Sequence, residues 1–210
     1  MGRVEVLTEK QENYIKLKRK IDFVVSFVAL VIFSPILLII CVAIKVESRG
    51  PILFKQKRVG IHKRHFSILK FRTMRSDTPK DMPTHLLQDP EQYITKIGKF
   101  LRKTSLDELP QIFNILEGDM SIVGPRPALW NQYDLVEERD KYGANDILPG
   151  LTGWAQINGR DELEIPQKAK LDGAYIEKMG FTFDLRCVIG TAFKVVKSEG
   201  IVEGKSRKHN

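Results

Sequence analysis

FVVSFVALVIFSPILLIICVAI, Phe23 to Ile44, is a run of 22 residues without a formal charge. As a straight helix it would extend roughly 33 Å, close to the hydrocarbon thickness of a bilayer. It shows no polar face, which argues against a helix in a water-soluble core. A cleavable signal peptide fits poorly, because a polar leader precedes the run and no small-residue cleavage site follows it. Two features complicate a simple crossing. Pro35 falls near the middle, where it removes a backbone hydrogen bond, and Ser34 can bond the carbonyls of the preceding turn. Both flanks are also basic: Lys16, Lys18, Arg19 and Lys20 before the run, and Lys45, Arg49, Lys55, Lys57 and Arg58 after it. Positive charge favours the cytoplasmic side. A helix broken at Ser34-Pro35 that enters and returns on one side accommodates both facts. A kinked crossing stays open, since prolines are tolerated in membrane helices. Asp22 reads as an interfacial partner of Lys18 or Arg19.

The chain has 210 residues and a formal net charge of +8, with 34 Lys and Arg against 26 Asp and Glu. This length suits one domain, or one domain plus an anchor. The basic excess suits nucleic acid, an anionic membrane surface or phosphorylated substrates, and composition does not choose among them. The two cysteines, Cys41 and Cys187, lie in apolar stretches and read as buried thiols rather than as a disulfide framework. The four histidines fall in no zinc-binding pattern.

Beyond the apolar run, Ile52-Leu53-Phe54 and Phe66 to Phe71 read as strands, with Val59 to His62 turning between them. Ser76 to Pro90, with three prolines, reads as a loop. The spacing predicts helices over Glu91–Lys103, Leu106–Leu116, Asp134–Tyr142, Glu164–Met179 and Leu185–Lys197. Leu148 to Trp154 is rich in turn residues, and the chain closes on a basic tail.

The residues that could carry chemistry begin with Asp107-Glu108. Pro110 fits the first turn of a helix, where its missing N–H has no partner to lose. Asp107 would then be the N-cap; alternatively Ser105 caps and Glu108 closes a capping box. Either register sets both carboxylates at the positive end of the helix dipole, which favours their ionised form and suits a nucleophile or a magnesium ligand. Ordinary helix capping explains the same residues without chemistry. Arg102 and Lys103 precede the acids. Arg126 follows between two prolines that restrict its backbone, and a guanidinium so held suits phosphate recognition. A surface pair with Glu117 or Asp119 is the plainer role for it. Lys70-Phe71-Arg72 and Asn158-Gly159-Arg160 add further cations, and Trp154 reads as a core or interfacial anchor.

Taken in order, KRKIDF (Lys18–Phe23), the Ser-Pro break, KFRTM (Lys70–Met74), TSLDELPQ (Thr104–Gln111), SIVGPRP (Ser121–Pro127), LPGLTGW (Leu148–Trp154) and QINGR (Gln156–Arg160) resemble the small monotopic polyprenyl-phosphate phosphoglycosyl transferases, a family of bacterial sugar transferases. The resemblance runs from about Lys18 to Ser198. It implies an α/β, mainly α, cytosolic catalytic domain with amphipathic interfacial helices and an N-terminal re-entrant membrane helix. On this basis the chain divides into a polar leader (1–17), a re-entrant anchor (18–48), the catalytic domain (49–200) and a basic tail (201–210).

The resemblance further implies transfer of a phospho-sugar from a UDP-sugar to undecaprenyl phosphate with release of UMP, the first membrane step of surface-glycan or glycoprotein-glycan assembly, at the cytoplasmic face of the bacterial cell membrane. It carries Asp107 over as nucleophile and Mg²⁺ ligand in a ping-pong scheme through an acyl-phosphate, with Glu108 completing the catalytic pair. Lys70, Arg102, Arg126 and Arg160 match basic positions near the substrate phosphates. Asp172 matches an acidic position, but Leu171 stands where several relatives are expected to carry a second acid, which leaves its role open. Partners implied are the UDP-sugar, undecaprenyl phosphate, inner-membrane lipids and downstream glycosyltransferases. Nucleic acid is not among them, since no nucleic-acid-binding motif is recognisable. Two alternatives differ in class: a non-enzymatic anchored scaffold for anionic lipid, and a carboxylate-dependent nucleotide-sugar phosphohydrolase.

Overall fold

The computed structural model describes residues 7–76, 78, 90–159 and 163–197. The expectations for most of the Ser76–Pro90 loop, for Arg160 and for the basic tail fall outside them. The architecture is mainly helical with two small sheets.

Helix α1 spans Glu9–Glu47, 39 residues, and opens in a capping box between Thr8 and Gln11. It is long and apolar enough to cross a membrane. The expected break at Ser34-Pro35 does not end the helix, which runs through Pro35. Proline at 35 deprives one carbonyl of its partner, that of Val31, four residues earlier. The Ser34 hydroxyl donates to that same Val31 oxygen at 2.8 Å. The dipeptide thus supplies a substitute for the bond it removes.

The two arms of α1 dock on the same globular body, while most of its middle is exposed, apart from the buried Ser26 and from Leu30, which packs on the core of the second arm. In the first arm, Gln11 donates to the Ile176 carbonyl at 2.7 Å, and Lys18 Nζ reaches Asp184 at 2.5 Å. Arg19 donates to the carbonyls of Ile115 and Leu116. Asp22, read from sequence as interfacial, is instead buried: it accepts from the Ser121 hydroxyl at 2.6 Å and pairs with Lys18 at 3.7 Å. In the second arm, Leu37, Ile40 and Ile44 join Phe71 and Leu101 in one core. The Glu47 carboxylate accepts from the Lys96 amide at 2.7 Å. Between the arms Phe23, Phe27, Val31 and Ile32 are exposed, as are Leu38 and Ile39 within the second arm.

Strands β1 (Leu53–Val59) and β2 (His65–Phe71) form an antiparallel hairpin in which Leu53 pairs with Phe71 and Val59 with His65. The first strand runs to Val59, five residues beyond the expected end. The turn therefore shifts to residues 60–64, where His62 and Lys63 adopt positive φ. Helix α2 spans Lys96–Thr104, capped by Thr95; residues 90–93, expected as its start, form a separate 3-10 turn. A 3-10 turn at Leu106–Glu108 and helix α3 (Gln111–Glu117) replace the single helix expected over Leu106–Leu116.

Strands β3 (Ser121–Val123) and β4 (Gly150–Thr152) pair in parallel. Neither is legible in sequence, being three residues each and lying inside turn-rich motifs. The remaining helices are α4 (Tyr133–Asp140), α5 (Trp154–Ile157), α6 (Ile165–Lys178) and α7 (Phe181–Lys197). Trp154 is an anchor as read, packed against Phe183 with ring centroids 4.8 Å apart and planes tilted by 45°. Helix α7 leaves Phe181, Leu185, Val188, Ile189 and Phe193 exposed. Cys187 is buried.

Candidate active site

Three segments far apart in sequence meet at the Asp-Glu pair: the end of β2, the turn between α2 and α3, and the loop leaving β3. Ser105 takes a left-handed conformation (φ 56°) that stops α2 and starts the 3-10 turn carrying Asp107 and Glu108. Neither capping register read from the sequence is present. Ser105 makes no side-chain cap bond, and α3 begins only at Gln111, behind Pro110. The acids occupy a turn of their own because the chain must change direction between two short helices, and a left-handed residue accomplishes that in one step.

Glu108 joins two of the expected cations. Its Oε1 accepts from Lys70 Nζ at 2.7 Å and lies 3.4 Å from Arg126 Nη2, and its side chain is 13% exposed. Such partly desolvated charged hydrogen bonds are stronger than surface pairs. Asp107 beside it is half-buried. Burial is the main cause that raises its pKa above the usual carboxylate value; the Glu108 charge adds to the rise, while Lys70 and Arg102 pull it back. Arg102, on the last turn of α2, donates from Nε to the Thr73 hydroxyl at 2.9 Å. Lys70, Arg102, Arg126, Asp107 and Glu108 therefore form one charged cluster.

Asp172 does not join it. It is buried in α6 and accepts from Arg139 of α4 at both Nε (2.8 Å) and Nη2 (2.7 Å). Both nitrogens meet the same oxygen, Oδ2, and this buried ion pair ties α4 to α6 and accounts for the acid without chemistry. Arg160 lies outside the described residues. Ser34 and Pro35 lie on the exposed stretch of α1, remote in role from the charged cluster.

Asn114 is a residue that sequence reading passed over. It is 1% exposed; its side-chain oxygen accepts from the Leu69 amide and its nitrogen donates to the Ser67 carbonyl, both at 2.9 Å. It pairs with the edge of β2 as a neighbouring strand would, and so seats Lys70 against the acidic turn. A polar residue amid the apolar positions Ile112, Phe113, Ile115 and Leu116 was the available signal.

A metal could be held only sparsely. Among the described residues there is no group of three or more His, Cys, Asp or Glu side chains suited to an ion. Mg²⁺, however, is commonly bound by one or two carboxylates together with substrate phosphates and water. Glu108 is engaged by cations, whereas Asp107 has no side-chain hydrogen bond among the described residues and keeps one to its own backbone. One available carboxylate beside cations that can hold a diphosphate fits that mode.

The site is thus a carboxylate pair lined by lysine and arginine, in a chain whose N-terminal helix is long and apolar enough to cross a membrane. Residues 13–198 match the family described as bacterial sugar transferase, and the chain belongs to that family. It is 40% identical to the uncharacterized sugar transferase EpsL of Bacillus subtilis over 88% of this chain and 90% of that protein. It is 41% identical to the UDP-glucose:undecaprenyl-phosphate glucose-1-phosphate transferase of Escherichia coli, over 85% of this chain but 40% of that protein. It is 36% identical to the UDP-N-acetylgalactosamine-undecaprenyl-phosphate N-acetylgalactosaminephosphotransferase of Aeromonas hydrophila, over 89% of this chain and 45% of that protein. The chain thus spans nearly all of the first relative and less than half of the other two.

Proposed function

We propose that this protein transfers a phospho-sugar from a UDP-sugar to undecaprenyl phosphate and releases UMP. The observation that carries the proposal is the charged cluster: Asp107 with Lys70 and Arg102 about it, and Glu108 tied to Lys70 and Arg126. An Asp107 oxygen attacks the β-phosphorus of the UDP-sugar, and the bond from that phosphorus to the bridging oxygen breaks. UMP leaves with the electron pair, and the phospho-sugar remains on Asp107 as an acyl-phosphate. A phosphate oxygen of undecaprenyl phosphate then attacks the same phosphorus and displaces the carboxylate, giving the lipid diphosphate sugar.

An anionic nucleophile approaching a diphosphate needs its repulsion cancelled, and the fixed cations of the cluster serve that end. Glu108 sets the positions of Lys70 and Arg126. Asp107 would be the protein ligand of Mg²⁺, which when bound adds charge neutralisation at the phosphates. The relatives' names print two different sugars, glucose and N-acetylgalactosamine, and this chain's donor is chosen by a panel that includes both.

We also assign α1 to a monotopic, re-entrant placement at the cytoplasmic face. This is supported by the docking of both arms on one body: residues 11–22 and 37–47 each bond or pack against it, and a body cannot lie on both sides of a bilayer. The exposed apolar residues of α1 supply the membrane-facing surface, and the exposed face of α7 suits the interface. Lys18 and Arg19 turn inward to Asp184 and to α3, so of the first basic cluster only Lys16 and Lys20 remain exposed for lipid headgroups.

The test is UMP release by the detergent-purified full chain from a panel of UDP-sugars, with and without undecaprenyl phosphate and Mg²⁺. Lipid- and metal-dependent release that is lost in Asp107→Asn is the expected result. Free sugar phosphate without a lipid product would establish a hydrolase instead, and release that survives Asp107→Asn would refute the assigned nucleophile.

A further inference from the structure

We infer that Thr73 is a positioning residue for Arg102, fixing the plane of its guanidinium beside the Asp-Glu turn. Thr73 stands just past the end of β2 and is 8% exposed. Three contacts hold it still. Its neighbour Arg72 donates to the Arg49 carbonyl at 2.7 Å and the Ser48 carbonyl at 2.8 Å, which pins the strand end to the end of α1. The Thr73 carbonyl accepts from the Thr95 amide at 3.1 Å. Gly98 lets α2 close on it, for a Cβ there would lie 2.0 Å from the Thr73 oxygen.

Arg102 lies one helical turn beyond Gly98 and on the same face, so the close approach delivers its Nε to the Thr73 hydroxyl at 2.9 Å. A guanidinium is planar, with its N–H groups in a rigid fork. Holding Nε therefore fixes where the Nη pair points. Without that bond the Nε would lose its fixed direction, and the aim of the guanidinium would change even though its charge remained.

The inference rests on the reading that Arg102 serves a nucleotide-diphosphate site, and its test separates the two. UDP affinity would be measured by calorimetry on the detergent-solubilised full chain in Mg²⁺ buffer. It would be set beside kcat and KM for UMP release, in wild type, Thr73→Val, Thr73→Ser, Arg102→Met and the Thr73→Val/Arg102→Met double variant. Valine keeps the β-branched shape and loses the acceptor, whereas serine keeps the acceptor. Thr73→Val and Arg102→Met are each expected to weaken UDP about tenfold, the scale of one charged hydrogen bond. The double variant should bind no more weakly than Arg102→Met, because residues acting as a unit are non-additive. Thr73→Ser should stay near wild type.

Additive losses, an unaffected Thr73→Val, or a Thr73→Ser as impaired as Thr73→Val would overturn the inference. A wild type that binds UDP yet releases no UMP from any UDP-sugar would sink the transferase reading, while the variant comparison still decides the role of Thr73. A wild type that does not bind UDP overturns the inference itself.

Discussion

Gly98→Ala probes the contact on which the cation side of the site depends. In an ordinary helix interior this change adds about 1 kcal/mol of stability, because alanine is the better helix former. Here the added Cβ would meet the Thr73 oxygen at 2.0 Å, whereas ordinary contact begins at 3.4 Å, so α2 must retreat by about 1.4 Å, the difference. That displacement stretches the Thr95–Thr73 backbone bond from 3.1 Å and the Arg102–Thr73 bond from 2.9 Å, both past hydrogen-bond range. Their loss costs about 1 kcal/mol for the neutral bond and about 2 kcal/mol for the charged one. The net is about 2 kcal/mol of destabilisation, or a Tm lower by about 4–8 °C for a chain of this size. Thermal unfolding in detergent measures it, with Gly180→Ala as control, where the nearest atom is 3.9 Å away. UMP release should fall in the same variant. A Gly98→Ala protein with unchanged or higher Tm and full activity would refute the reasoning, since helix propensity would then outweigh a contact too soft to matter.

Other outcomes follow from the charges. Asp107 must be ionised to attack, and burial raises its pKa while Arg102 and Lys70 lower it. The rate should therefore fall as pH drops through a value above the usual carboxylate range, and Arg102→Met should move that acid limb further up; a limb that moves down would contradict the assignment. Glu108→Gln leaves Lys70 and Arg126 without their shared anion, and kcat/KM for UMP release should fall about 100-fold, the scale of two weakened charged hydrogen bonds. Arg139→Met strands a buried carboxylate at Asp172 and should destabilise the fold by about 3–5 kcal/mol. Burial raises the Asp172 pKa and Arg139 opposes it. Without the arginine the folded state gains by taking up a proton, so this variant should grow more stable as pH falls toward the unfolded carboxyl's value, as read in melting curves at several pH values.

Much of this protein is legible in the order of its residues. The uncharged run from Phe23 to Ile44 announces a helix long and apolar enough to cross a membrane, because length and hydropathy are local properties. The alternation in Phe66–Phe71 marks a strand, and the periodicity of residues 164–179 and 185–197 marks helices that the structure contains with shifted ends. The family motifs single out Lys70, Arg102, Asp107, Glu108 and Arg126, which the fold does bring together.

What the sequence could not supply is pairing. Capping rules placed Asp107 and Glu108 at a helix mouth, but Ser105 enters a left-handed turn and gives the acids a 3-10 turn of their own. The resemblance matched Asp172 to an acidic position and left its role open, and two contacts from Arg139, 33 residues earlier, to its Oδ2 make it a tie between helices. Asp22 looked interfacial until Ser121, 99 residues on, was seen to donate to it. Asn114 shows in the sequence only as a polar residue among apolar ones and Thr73 only as one letter of a motif, and the work of each, seating Lys70 and Arg102, depends on neighbouring elements. The sequence by itself determined the long apolar helix, the helical content and the inventory of charged groups, since these depend on residue type and near-neighbour spacing. Only the tertiary structure decided which charge meets which, because hydrogen bonds and ion pairs act over a few ångströms in space and are blind to separation along the chain.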